Sequence, residues 1–173
     1  MKKILILNGA GKRNGNTAAL IKAFTDGAVS AGNEVKEFYL QDMNIHGCLD
    51  CQGCTRKPVG DIHPCVQSDD MDQIYEALKD ADIMVFASPV YWFSVTGTLK
   101  TAVDRLYALQ QNSRGSFNKQ TIFLMTSGAP AKYNPLATEW YDMFEKMLGW
   151  KSLGTVLGTG KETEARSLGI SII

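Results

Sequence analysis

The chain has 173 residues, 45% of them hydrophobic and 21% charged, enough for one domain (residues 1–173) with a core that needs no metal or disulfide staples. Eighteen basic and eighteen acidic side chains cancel, so bulk electrostatics give no support for nucleic acid or a membrane surface as partner. No apolar run approaches the ~20 residues that span a bilayer, and the Met1-Lys2-Lys3 start runs too quickly into its first strand to be a signal peptide. A cytoplasmic protein with reduced cysteines is expected.

In chain order, Ile4 to Asn8 reads as a strand without polar alternation, as when both faces are covered. Thr17 to Ala31 is a helix, with Ile21, Phe24 and Ala28 near its apolar stripe and Gly32 as its stop. Glu34 to Leu40 alternates and reads as an edge strand. Residues 43–68 form a long cysteine-rich loop, and its length alone points to function. Asp69 or Asp70 caps a helix to about Lys79. Ile83 to Ala87 is a buried strand, Thr96 to Leu109 a helix, Thr121 to Thr126 a strand, Pro135 to Leu148 a helix and Ser152 to Leu157 a last strand. The alternation implies an α/β doubly wound five-stranded parallel sheet with right-handed crossovers. Five strands suit the order 2-1-3-4-5, whose ligand crevice lies at the carboxyl ends of strands 1 and 3. Gly158 to Ile173 is short for a closing helix, so either a stub or a partner subunit covers strands 1 and 5.

Strands 1 and 3 end in the two most informative segments. Asn8 to Thr17 carries glycines at 9, 11 and 15, with Lys12, Arg13 and Asn14 between them, Asn16 and Thr17 where the helix N-cap should be, and Ala18 next. Such a loop presents backbone N–H groups and positive charge where a phosphate could sit. It is not a Walker A loop, because Gly-Lys-Ser/Thr does not follow at the required spacing, and Asn14 occupies a position where a dinucleotide fingerprint needs glycine. The bland alternative is a Gly/Asn turn with solvated cations. Pro89, Val90, Tyr91, Trp92 and Phe93 set large rings on the second loop, which otherwise would form a core cluster or a subunit contact. Thr126, Ser127 and Gly128 follow strand 4 and close the crevice, with Tyr133 within reach. A phosphate cradle beside an aromatic loop fits a ligand with a phosphate tail and a flat ring, most simply FMN.

Cys48, Cys51, Cys54 and Cys65 are all the cysteines of the chain and fall within 18 positions. Three readings compete: an iron–sulfur cluster of the [4Fe-4S] type, a zinc site, and free or redox-active thiols. His46 and His63 flank the loop and read as loop histidines. Both lie outside any Gly-x-Ser-x-Gly elbow, which the chain lacks, so a serine hydrolase is disfavoured.

With Asn8-Gly9 through Gly15-Asn16-Thr17, the Cys-x2-Cys-x2-Cys triplet, Asp69-Asp70-Met71, Ser88-Pro89-Val90-Tyr91, Gly97 and Lys100 through Asp104-Arg105, the chain resembles the NADPH-dependent FMN reductases and iron–sulfur flavoproteins on the flavodoxin-like fold. The resemblance implies that Lys12, Asn14, Asn16 and Thr17 hold the FMN phosphate, and that Pro89 to Phe93 with Ser127 and Gly128 line the ring. It implies NAD(P)H as hydride donor, a quinone, free flavin or other small-molecule electron acceptor, and no side-chain acid or base, so no catalytic residue is named. It also implies a homodimer or homotetramer. Ala10-Gly11 stands where the family often has Ser-Pro, and ten residues separate Cys54 from Cys65 where cluster-bearing members have fewer. A flavodoxin-type electron carrier is the non-enzymatic alternative, disfavoured by zero net charge; a thiol or iron–sulfur redox sensor is the other.

Overall fold

Two apolar faces on every central strand dictate the architecture. In the computed structural model, which describes residues 1–113, 117–130, 132 and 134–173, the strands are β1 (Lys3–Asn8), β2 (Glu34–Tyr39), β3 (Ile83–Pro89), β4 (Gln120–Thr126) and β5 (Lys151–Leu157). They form one all-parallel sheet in the order β2-β1-β3-β4-β5, the flavodoxin-like arrangement expected. The helices are α1 (Asn16–Ser30), α2 (Met71–Asp80), α3 (Gly97–Arg105), α4 (Tyr107–Asn112), α5 (Pro135–Leu148) and α6 (Glu162–Ile170). Alternate residues of the buried strands feed two cores. Leu5, Leu7, Met84, Phe86, Phe123 and Met125 pack against α2 to α5. Ile4, Ile6, Ile83, Val85, Ile122 and Leu124 pack against α1 and α6.

The C-terminal stretch does supply its own closing helix. α6 lies across α1 at a contact made of glycines: a Cβ at Gly27 would fall 2.2 Å from the Arg166 carbonyl oxygen, and one at Gly169 2.3 Å from that of Phe24. The approach is backbone to backbone, which explains how nine residues suffice. Asn33 ties the same end down, its side-chain amide donating to the Ile172 carbonyl at 3.0 Å.

The helix expected over 96–109 is instead two. Thr96 caps α3, its hydroxyl accepting from the Leu99 amide at 3.3 Å, and the ladder tightens to three-residue spacing at Leu106 before α4 continues. Arg105, the last residue of α3, is buried. Its guanidinium faces the Asp69 carboxylate at 2.7 Å, both side chains 1% exposed. Asp69 also accepts from the Met71 amide at 3.1 Å and the His46 amide at 3.0 Å. It thus caps α2 from one residue ahead of the N-cap position, Asp70, whose own side chain makes no capping bond. The pair joins α2, α3 and the start of the cysteine loop.

Burial pushes the Asp69 carboxyl upward, but the Arg105 guanidinium and the His46 and Met71 amides outweigh it and hold its pKa below the ordinary value. The folded value lies below the unfolded one, so this pair adds stability above pH ~4, which is lost as pH falls through the folded value. The difference in urea midpoint between the wild type and Asp69→Asn should therefore be wide at pH 6 and narrow toward pH 3, starting from the ~3–5 kcal/mol that breaking a buried pair costs. Gly27→Ala should lower the urea midpoint by the ~1–3 kcal/mol typical of overpacking, with an unchanged slope. A midpoint equal to wild type would mean that α6 does not sit where the crossing puts it.

Candidate functional site

The carboxyl ends of β1, β3 and β4 lie side by side, with Asn8 opposite Ala87 and Pro89 opposite Thr126 in register. The Gly9 amide donates to the Ala87 carbonyl at 2.8 Å and the Thr96 hydroxyl to the Gly9 carbonyl at 2.8 Å. A Cβ at Gly9 would sit 2.6 Å from that of Leu99, so only glycine fits there. Asn8 shapes the next step: its side chain is buried, accepts from the Ala10 amide at 2.9 Å and donates to Glu37 at 2.7 Å. Gly15, rather than Asn16 or Thr17, is the N-cap of α1 and brings no side chain to cap it. The first helical bond of the ladder runs from the Ala19 amide to the Gly15 carbonyl, so the amides of Asn16, Thr17 and Ala18 precede it. The first turn holds no acidic residue. That combination leaves a helix N-terminus open to an anion. Lys12, Asn14 and Asn16 are exposed around it. Arg13 turns away, stacking 4.3 Å over the Tyr39 ring and pairing with Asp42. Thr17 is buried, and its hydroxyl meets that of Thr126 at 2.6 Å, bringing two sequence-predicted residues together from opposite ends of the chain.

The aromatic loop is a tight turn. The Tyr91 amide donates to the Ser94 carbonyl at 2.9 Å and the Ser94 amide to the Tyr91 carbonyl at 3.2 Å. Between them Trp92 (φ 48°) and Phe93 (φ 71°) both adopt left-handed backbone. Bulky residues held there cost about 1–3 kcal/mol each, and such strain clusters at functional sites. The rings are displayed rather than packed: Tyr91 is 54%, Phe93 57% and Trp92 92% exposed. A Cβ at Gly11 would lie 3.0 Å from the Tyr91 hydroxyl, so the anion loop and the aromatic turn touch. The Val90 amide donates to the Thr126 carbonyl at 2.8 Å. Beyond it the Ser127 hydroxyl accepts from the Ala129 amide and the Asn134 side chain, and Gly128 stands exposed. Tyr133 lies outside the described residues.

Cys48, Cys51, Cys54 and Cys65 line one cavity with Arg105 and Tyr107. Burial pushes the Cys54 thiol up, and the nearby Cys65, Cys48 and Cys51 push the same way. Asp50 and Gln52, on either side of Cys51, both have positive φ and are joined by a 2.9 Å side-chain bond. The longer Cys54–Cys65 segment is pinned from α4, where Asn112 accepts from the Gly60 amide at 2.9 Å and donates to the Pro58 carbonyl. His46 and His63 face carboxylates instead, Asp69 at 3.4 Å and Asp72 at 3.3 Å. Among the described residues no three His, Cys, Asp or Glu side chains converge enough to hold a single metal ion. Four thiols around one cavity do match an iron–sulfur cluster in number and kind. Sequence reasoning assigned no role to Arg105, although a charge on the stripe of Leu99, Ala102 and Val103 was the available signal.

The family model of NADPH-dependent FMN reductases matches residues 2–164. Two iron–sulfur flavoproteins of Archaeoglobus fulgidus are similar to the chain. One is 30% identical over 75% of this chain and 57% of its own length, the other 27% identical over 91% and 77%. The chain thus spans little more than half of the first. A Bacillus subtilis protein named as an NAD(P)H-dependent FMN-containing oxidoreductase is 31% identical over 91% of this chain and 85% of its own. Among solved structures, the NAD(P)H:quinone oxidoreductase from Methanothermobacter marburgensis superposes with a TM-score of 0.72 at 16% identity, covering 98% of both chains, a likeness of fold. With its flavodoxin-like sheet and its open helix N-terminus beside an aromatic turn, the chain belongs to the NADPH-dependent FMN reductase family of flavin-dependent oxidoreductases.

Proposed function

We propose that this protein is an FMN-dependent NAD(P)H oxidoreductase that passes electrons to a quinone, free flavin or another small acceptor. The observation that carries the reading is the contact between an uncapped helix N-terminus and a strained, exposed aromatic turn, made where Gly11 meets Tyr91. The amides of residues 16–18, the Asn14 and Asn16 side chains and the Lys12 ammonium hold the phosphate. Thr17 contributes its amide, since its hydroxyl is engaged by Thr126. Pro89 to Phe93, Thr126, Ser127 and Gly128 wall the ring, and the protein supplies position and field. FMN, when bound, supplies the hydride-accepting centre and the means to release electrons singly or in pairs.

Cys48, Cys51, Cys54 and Cys65 would hold an iron–sulfur centre, a reading favoured by their shared cavity and by the names of the archaeal relatives. An apolar groove of about 340 Å3 between α3, α4 and α5, edged by Tyr107, Met143 and Met147, is in keeping with a homodimer or homotetramer. Among the described residues no helix is long and apolar enough to cross a membrane. We place the protein in the cytoplasm.

The decisive experiment is an anaerobic absorption spectrum with iron and acid-labile sulfide assayed on the same sample, followed by NAD(P)H consumption with quinone and with free FMN. Flavin bands with turnover are expected, and a colourless protein that takes up no added FMN would sink the proposal. Asn16→Asp should separate fold from ligand: an acid in the first turn favours the helix but opposes the phosphate. The urea midpoint should hold or rise while the dissociation constant for FMN rises at least about tenfold, one like charge costing ~1.4 kcal/mol or more. Trp92→Gly should keep or raise thermal stability, because it relieves left-handed strain and removes little packing, yet raise KM for an aromatic acceptor.

A further inference from the structure

Arg105 has one nitrogen that the fold does not use. Nη1 donates to Asp69 at 2.7 Å and to the His46 carbonyl at 2.8 Å, and Nη2 reaches Asp69 at 3.3 Å. Its Nε–H is buried with no acceptor among the described residues. An N–H left this way costs about 1–3 kcal/mol and calls for a partner. Arg105 borders the cavity that the four cysteines line, and among the described residues it is the one cation of that lining; Asp50 and Asp104 are the acids there. Cys48 and Cys51 are exposed and Cys54 and Cys65 half-buried, and the thiolate form in which cysteines hold an iron–sulfur group carries negative charge that a neighbouring donor and cation can balance. Neither Asp50 nor Asp104 accepts from Arg105 Nε, and the four thiols beside it are groups there that could.

We propose that Arg105 is a positioning residue for an anionic iron–sulfur group in this cavity: Asp69 clamps the guanidinium, and the Nε–H donates to a sulfur of the group. This rests on the cluster reading above. Without the clamp a guanidinium could swing to solvent. With it, both Nη atoms are held by Asp69 and the His46 carbonyl, and Nε is the nitrogen without a partner among the described residues. A donor and a fixed positive charge favour the more negative, reduced state of such a group, because hydrogen bonds to sulfur and local charge set its potential. Asp69 acts in the opposite sense by neutralising part of that charge.

The test is a redox titration of the anaerobically purified wild type, Arg105→Lys and Asp69→Asn, with iron, acid-labile sulfide and FMN assayed on each. Arg105→Lys keeps the cation and an ion pair with Asp69 but deletes Nε. At a fixed ambient potential its ratio of reduced to oxidised cluster should fall about tenfold, a midpoint ~59 mV lower for one electron. Asp69→Asn should shift the midpoint upward. Opposite shifts at retained iron support the proposal, since a merely structural clamp would release iron from both variants or move both one way. Iron in the wild type with an unchanged midpoint in Arg105→Lys overturns the proposal and leaves the cluster standing. A wild type that holds no iron after anaerobic reconstitution removes the cluster and the proposal together. Should Arg105→Lys lose its flavin and fold, Asp69→Asn decides alone, and a midpoint unmoved or lowered there overturns it.

Discussion

Parallel pairing is the constraint from which the site follows. With β1, β3 and β4 running the same way and in register, Asn8 meets Ala87, and Pro89 meets Thr126, so every strand delivers its following loop to one edge. The loops are then cross-braced by backbone rather than by long side chains, through Gly9 to Ala87 and Val90 to Thr126. The hydroxyl contact between Thr17 and Thr126 fixes the start of α1 to the same edge. An anion held there meets donors already aimed by the sheet, which lowers the ordering cost of binding.

That rigidity is what allows local strain to persist. Among the described residues, the non-glycine positions with positive φ are Asp50, Gln52, Trp92 and Phe93, two in the cysteine loop and two in the aromatic turn. Nothing in the two cores carries such a burden. The surroundings over-determine each pair: Tyr91 and Ser94 exchange both backbone bonds, and Asn112 and the Asp69–Arg105 pair brace the cysteine loop from either side. Strain concentrated in two loops and absent from the packed layers is the pattern expected of a scaffold separated from its working parts.

Sheet order, helices and the two crevice loops were legible because they rest on local patterns: apolar runs such as Ile83 to Ala87, stops such as Gly32, and glycine spacing at 9, 11 and 15. What was not legible depends on partners distant in sequence. Gly15 took the cap from Asn16 because the loop's path, not cap propensity, decided it. Arg13 counted as positive charge in the phosphate loop, but Asp42 and Tyr39, nearly thirty residues on, claim it. Arg105 entered only as part of the family resemblance, without a role, since that role needs Asp69 and His46 to be folded beside it. The adequacy of α6 turned on two glycines, at 27 and 169, whose meeting no local pattern announces.

The glycine crossing also orders events in time. Asn33 and Ile172 close a contact between residues 139 apart, and among the described residues it is α6 that packs on the face of α1 bearing Gly27. As the chain is synthesised, that face remains wet until α6 has left the ribosome, after the strands beneath α1 could pair. Loop closure over such a span adds little to the equilibrium cost but slows the search for the native pairing. α6 is thus a latch: α1 already lies on the sheet, and its Gly27 face waits uncovered until α6 closes over it.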